Sequence, residues 1–309
     1  MRVVFMGNPA FALPTLKEII SSNHEVVGVV SNPPKPMGRG RKLKSTPVGI
    51  FAKENGLQLI EAVSLNSEDF INDMKELKPD IFVVVAFRIL PQSLIDLPTH
   101  GAVNLHASIL PKYRGAGPIQ WALMNGDTST GVTIFQISKN VDTGNILRQK
   151  EMKIEPQDTM LTLGTRLCTD GAPLVVDALN AIDSGHINPV PQNHLDATKA
   201  PKISKEMTII DWTWSAEKIH NWCRGLSPFP GLSTTWNRKR LRIFNTNVVE
   251  EGTNIESGKI HKINDRKIFV GTGEHLLAIS DVQLEGKKRM SVSEFLKGNE
   301  IQLGDQLGK

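Results

Sequence analysis

Six consecutive residues, Ile81-Phe82-Val83-Val84-Val85-Ala86, present apolar side chains to both faces of any strand they form. Side chains alternate across a strand, so such a run needs cover on both sides, which is the situation of a central strand in a parallel sheet wrapped by helices. Residues 3–6 have the same character and are interrupted at once by Gly7-Asn8-Pro9. A helix-spaced apolar pattern over 11–20 and a second apolar run over 25–30 follow. Strand, helix and strand within about 30 residues make a βαβ unit with a right-handed crossover. The pattern continues with helical segments at 48–55 and 67–77, an extended stretch at 57–60, strands at 102–106 and 131–137, and a long helical segment at 161–182. Together these predict an α/β fold, a doubly wound, mainly parallel Rossmann-like sheet domain over residues 1–188.

At 309 residues the chain exceeds what one core usually serves, and a second domain is expected. Residues 189–205 hold Pro189, Pro191 and Pro201 with little apolar content and read as a linker. Beyond them, short β runs at 232–236, 241–244, 259–263, 267–270 and 275–279 predict a small β barrel or sandwich over 206–309. No apolar stretch approaches the roughly 18 residues needed to span a bilayer. The opening residues read as a buried strand, not a signal peptide. Cys168 and Cys223 lie outside any CxxC spacing, so neither a disulfide framework nor a thiolate metal site is expected. A reducing cytoplasm suits such a chain.

Chemistry concentrates between residues 104 and 144. Asn104 and His106 are two apart in a predicted strand, so alternation points both to one face while Val103 and Leu105 point to the other. An amide and an imidazole then stand together near the C-terminal end of a strand, where open α/β sheets keep their ligand crevice. A hydrogen-bonded pair in the core is the plain alternative. The surroundings argue against it. A loop carrying the only tyrosine, Ser108-Ile109-Leu110-Pro111-Lys112-Tyr113-Arg114-Gly115, comes next, and Asp142-Thr143-Gly144 brings a carboxylate to the end of the following apolar strand.

HASILPKYRGAGPIQ followed by GVTIFQI and DTG resembles the signature of the folate-dependent formyltransferases, whose members act on glycinamide ribonucleotide, sugar nucleotides or methionyl-tRNA. The resemblance implies catalytic roles for Asn104, His106 and Asp142, and 10-formyltetrahydrofolate as co-substrate. Amine attack on a formyl carbon builds negative charge on oxygen and positive charge on nitrogen. An amide donor aimed at the oxygen is typically worth about 10²- to 10³-fold in rate, and a positioned imidazole that moves the proton about 10²- to 10⁴-fold. The family's pterin-holding segments match Ala86, Phe87, Arg88, Ile89 and Leu90 together with Ser108, Ile109, Leu110 and Pro111. The first of these is one residue shorter than the commoner Ala-Tyr-Gly-x-Ile-Leu-Pro form and carries Arg88.

The net charge is only +4, but five basic residues and no acid fall between Lys35 and Lys44. By itself this run reads equally as solvated surface or as a phosphate-binding loop. In methionyl-tRNA members of the family a loop bearing Gly-Arg-Gly, here Gly38-Arg39-Gly40, meets the acceptor stem. The resemblance therefore assigns Arg39, Arg41, Lys42 and Lys44 to nucleic acid, and initiator methionyl-tRNA is the expected partner. Ile209-Ile-Asp-Trp, Arg224-Gly-Leu-Ser-Pro-Phe-Pro-Gly and Glu285-Gly-Lys-Lys-Arg-Met resemble the C-terminal domain of those enzymes, which implies an OB-like β-barrel that binds tRNA. Lys287, Lys288 and Arg289 are further candidate phosphate contacts there. A monomeric enzyme without metal is the expectation.

A 4-amino sugar nucleotide as acceptor is the alternative. A dinucleotide-dependent oxidoreductase is excluded because Met6-Gly7-Asn8-Pro9-Ala10 is not GxGxxG and Ser31-Asn32 stands where a ribose-binding acid belongs. The eight histidines show no HxxxH or HExxH spacing.

Overall fold

The computed structural model describes residues 1–38, 40–250 and 256–308. From the N-terminus, β1 (Arg2–Gly7) leads through a 3-10 turn into α1 (Leu13–Ile20) and β2 (Glu25–Ser31). The helix expected from residue 11 starts two residues later. Pro14 has no N–H to offer Ala10, and the Leu13 N–H takes that carbonyl instead. A hairpin of β3 (Lys35–Met37) and β4 (Lys42–Lys44) follows, then α2 (Pro47–Glu54), β5 (Leu59–Glu61), α3 (Glu68–Glu76), β6 (Ile81–Val85), α4 (Gln92–Ile95) and β7 (Ala102–His106). After α5 (Pro118–Met124) come β8 (Ser129–Gln136), β9 (Ile146–Lys153) and the long α6 (Met160–Asp183).

The main sheet has the order β5-β2-β1-β6-β7-β8-β9. Its first five strands are parallel and its last two antiparallel. Every residue of β6 is buried, as its two-faced apolar run requires. One face of the sheet packs Val4, Met6, Val30, Phe82 and Val84 against Phe70, Met74 and Leu94. Fully burying a side chain such as Phe82 or Met74 is worth about 1.5–3 kcal/mol. The strand order reverses between β1 and β6, so the crevice of the fold opens beyond the C-terminal ends of β1, β6 and β7.

The sequence pattern does not anticipate β3, β4, α4, α5 or β9. The basic run expected as a loop forms the hairpin β3–β4, whose strands are three residues long and hold three lysines among six residues. Helix α5 is only seven residues long. Strand β9 reads ILRQKEMK because it is the sheet edge, where exposed Lys150 and Lys153 guard unpaired backbone groups.

Helix α7 (Ala216–Leu226) is capped by the Ser215 hydroxyl, which accepts from the Lys218 N–H. Strands β10 (Leu232–Trp236), β11 (Lys239–Val249), β12 (Ile260–Ile263), β13 (Ile268–Gly271), β14 (Leu276–Leu284) and β15 (Met290–Ser291) precede α8 (Val292–Leu296). They form an antiparallel sheet, β10-β11-β14-β13-β12, with β15 on β14. The two-residue turn Asn237-Arg238 has positive φ at both positions, the geometry that matches strand twist in a tight hairpin. Ile219, Cys223 and Leu226 of α7 pack with Ile243, Val270, Leu277, Val282 and Phe295 to form the core of this sheet.

Contacts divide the chain into two units, one of residues 1–118, 129–153 and 164–200, the other of 119–128, 154–163 and the chain from Pro201 onward. Composition marks 189–205 as a linker, yet Val190 bridges Ile146 and Lys199 bridges Arg114 inside the first unit. No described helix is long and apolar enough to cross a membrane.

Candidate active site

Strand β7 lies between a parallel and an antiparallel neighbour. Asn104 stands opposite Val84 on one side and Phe135 on the other, and His106 stands opposite Thr133. Ladders on both edges fix the strand, and its alternation sets the Asn104 and His106 side chains on one face. His106 is 7% exposed. Its ring meets Phe135 edge to face, with centroids 6.3 Å apart.

The two ring nitrogens of His106 have different partners. Nε2 lies 2.9 Å from the Tyr113 carbonyl oxygen. A carbonyl only accepts, so Nε2 carries a proton and donates it, leaving Nδ1 as the basic nitrogen of the neutral ring. Nδ1 faces Asp142 Oδ2 at 3.8 Å, beyond hydrogen-bond reach. A proton arriving on Nδ1 therefore meets a carboxylate. The Tyr113 carbonyl is itself held in place. Tyr113 has a left-handed φ of 61°, and its N–H donates to Thr198 Oγ1 at 2.8 Å.

Asp142 also has a left-handed φ, 53°. Its Oδ2 accepts the Gly115 N–H at 2.8 Å. Gln192 Nε2 donates to the carbonyls of Asp142 and Gly144, at 3.0 and 2.8 Å. Arg114 in turn grips Gln192 Oε1 through Nε and Nη2, at 3.1 and 2.5 Å. The turn that carries the carboxylate is thus held from three sides. Sequence reading missed Thr198, Gln192 and this use of Arg114; Gln192 sits between Pro191 and Asn193 in the supposed linker, where nothing marks it.

Asn104 contrasts with its neighbours. Partly exposed, its carboxamide has no hydrogen-bond partner among the described residues, so two N–H donors and an acceptor remain available. Asn104, His106 and Asp142 share one side of the sheet.

Segment 86–91 leaves the C-terminal end of β6. Ala86 has a left-handed φ of 48°, Leu90 is buried and Ile89 is 76% exposed. Arg88 does not point freely into solvent: Nη1 and Nη2 donate to the carbonyls of Val63 and Ala62, at 3.1 and 2.7 Å, and the guanidinium lies 5.1 Å from the Phe87 ring centre. Burial pulls its pKa below the usual guanidinium value. Beside it lies a cleft of about 400 Å³ lined by Val63, Leu65, Asn66, Arg88, Ile89 and Pro91. In the other expected segment, Ser108 is buried and its Oγ donates to the Lys112 carbonyl at 2.6 Å. The Leu110 N–H donates to Thr133 Oγ1, and the Leu110 carbonyl accepts from Gln149. Ile109 is partly exposed, and Pro111 follows a cis bond. The Ser108 carbonyl accepts from Thr133 Oγ1 at 2.7 Å, so backbone groups at both Ser108 and Leu110 are engaged within the protein.

Lys42 and Lys44 lie exposed on β4, and Arg41, exposed with φ 46°, occupies the turn before it. Arg39 lies outside the described residues. In the second unit Lys287 and Lys288 are exposed. Arg289 is not free: it donates twice to Asp281 Oδ2 and stacks 4.5 Å from the Phe244 ring centre. The described residues hold no group of three or more His, Cys, Asp or Glu able to bind a metal ion.

Comparison with known proteins bears on this arrangement. The formyl transferase family model matches residues 1–179 and the formyl transferase C-terminal domain model matches 202–300. A methionyl-tRNA formyltransferase of Alkaliphilus oremlandii is 39% identical over 310 residues, covering 100% of both chains. Among solved structures, an N-formyltransferase from Helicobacter canadensis in complex with folinic acid and dTDP-3-aminofucose superposes with a TM-score of 0.69 at 20% identity, over 94% of this chain and 100% of that one. The methionyl-tRNA formyltransferase from Clostridium thermocellum superposes with a TM-score of 0.58 at 15% identity, over 92% and 98%.

Proposed function

This chain belongs to the formyl transferase family, and we propose that it transfers the formyl group of 10-formyltetrahydrofolate to the amino group of methionine on initiator methionyl-tRNA. The carrying observation is the unpartnered Asn104 carboxamide on the same strand face as an imidazole whose basic nitrogen faces a carboxylate. Full-length relatives named for the tRNA reaction favour that acceptor over a sugar nucleotide.

The co-substrate supplies an activated formyl group; the side chains handle the charge that moves. Asn104 donates to the formyl oxygen as it becomes anionic. His106 Nδ1 takes the proton that the attacking amine must lose, and its cationic form is then flanked by the Tyr113 carbonyl and Asp142. The same proton is returned to the folate nitrogen as it departs, so His106 ends neutral. Asp142 faces the ring and stabilises the charge it takes up. The cleft beside Arg88 has one apolar wall, Val63, Ile89 and Pro91, and a size suited to a flat heterocycle. Polar contacts to the pterin are assigned to segment 86–89, where Ala86 and Ile89 are exposed, and not to the engaged backbone at 108 and 110.

Asn104→Ala is expected to lower kcat about 10²- to 10³-fold, with little change in either KM because the donor acts on charge present only at the transition state. An equal rise of folate KM at unchanged kcat would instead make Asn104 a binding residue.

Lys42, Lys44 and Arg41 are assigned to phosphates of the acceptor stem, with Arg39 beside them in sequence. Each phosphate neutralised lowers the slope of log affinity against log salt by about 0.7–0.9. The test is a formyl-transfer assay with labelled formyl-folate and either charged initiator tRNA or a 4-amino sugar nucleotide, at two salt concentrations. Salt-sensitive formylation of the tRNA is expected; formylation of the sugar nucleotide alone would overturn the reading.

A further inference from the structure

The turn after β1, where dinucleotide-binding folds hold a pyrophosphate, is tied here to the basic hairpin by hydrogen bonds that converge on Asn8. Its Oδ1 accepts the Asn32 N–H at 2.9 Å, and its backbone oxygen accepts the Val48 N–H at 3.3 Å. Asn32 is the last residue but two before β3, and Val48 follows β4 by four residues. One side chain and its own carbonyl therefore hold both feet of the basic hairpin.

Hydroxyl groups complete the clamp. Thr46 Oγ1 accepts the Gly49 N–H at 2.9 Å as the cap of α2, so its own proton is free to go to Ser31 Oγ, 2.5 Å away. Ser31, fully buried, then shares its single proton between the Gly7 carbonyl at 2.9 Å and Asn8 Oδ1 at 3.2 Å. Asn8 Oδ1, Ser31 Oγ and Thr46 Oγ1 are thus all engaged in this knot. The hairpin above it has no such support: Lys35 and Lys44 stand directly opposite each other, a like-charge pair that weakens pairing, and Leu43 is 71% exposed.

We propose that Asn8 is a positioning residue for the acceptor nucleic acid, setting the height and direction of the β3–β4 hairpin through both its feet. A hairpin that repels itself gains its order from the anion it meets, and the knot decides where it stands when that anion arrives. The proposal rests on the reading of Lys42 and Lys44 as tRNA contacts.

Steady-state formylation by full-length Asn8→Ala, Asn8→Asp and Lys42→Ala/Lys44→Ala proteins tests it, with trypsin cleavage at the hairpin as a second readout. Asn8→Ala should raise KM for methionyl-tRNA about tenfold, the equivalent of one good hydrogen bond, and leave folate KM and kcat within about twofold. Cleavage at the hairpin should accelerate while the melting temperature changes little. Asn8→Asp keeps the acceptor oxygen and should restore tRNA KM. If the double lysine variant leaves tRNA KM unchanged, the tRNA reading of the hairpin fails and the proposal with it. If that variant is impaired but Asn8→Ala is silent, or lowers kcat and raises both KM values together, the positioning role alone is overturned.

Discussion

Replacing His106 by alanine is expected to lower kcat for formyl transfer by about 10²- to 10⁴-fold, the span found when a positioned acid–base group is removed. The imidazole has one nitrogen committed to the Tyr113 carbonyl and the other turned to Asp142, and in the proposed reaction that second nitrogen carries the amine's proton to the leaving nitrogen. His106→Gln separates proton chemistry from packing. Glutamine can donate to the Tyr113 carbonyl and fill part of the space against Phe135, but it cannot hold the proton. Both variants should therefore be slow, with melting temperatures close to the parent for glutamine and lower for alanine, which leaves a cavity under a 7% exposed ring. A His106→Gln enzyme that formylates at the parent rate would remove the histidine from the mechanism.

Much of this arrangement was legible because its elements follow simple periods. Residues 81–85 are apolar on both faces and became a fully buried central strand; residues 102–106 alternate and became β7 over those same five positions. Adjacency on one strand also brought Asn104 and His106 together in the reading. Strand order put Asp142 at the end of the next apolar strand, but only the family motif joined it to His106, since 36 residues separate the two and no period spans a loop.

What stayed hidden depends on hydrogen bonds between residues far apart in sequence. Gln192 and Thr198, which hold the Asp142 turn and the Tyr113 carbonyl, come from a proline-bearing stretch whose composition signals only the lack of a core. The hairpin β3–β4 was invisible for a related reason. Its strands are short and basic, and they are fixed from below by Asn8, Ser31 and Thr46, three polar residues that propensity assigns to turns and caps.

The second large effect is expected from Gly144→Ala. A Cβ built on Gly144 would lie 1.7 Å from the Gln136 carbonyl oxygen and 2.8 Å from its carbon, both backbone atoms. Gln136 cannot retreat easily. It closes β8, which is laddered to β7 on one side and β9 on the other, and its N–H donates to the Asn145 carbonyl at 2.9 Å. The 142–145 turn must lift instead, against the two hydrogen bonds from Gln192. That turn carries the carboxylate facing His106, and a displacement of about 1 Å at a reacting constellation costs roughly 10²-fold in rate. Gly144→Ala should thus lose about that factor in kcat/KM, with a stability loss of about 1–3 kcal/mol from overpacking. Gly185→Ala is the matching control: its φ of 71° strains an alanine, but nothing lies within 4 Å of the added carbon. It should cost about 1 kcal/mol without touching the rate. Equal activity in the two variants at matched folded fractions would mean that the placement of Asp142 does not govern the chemistry.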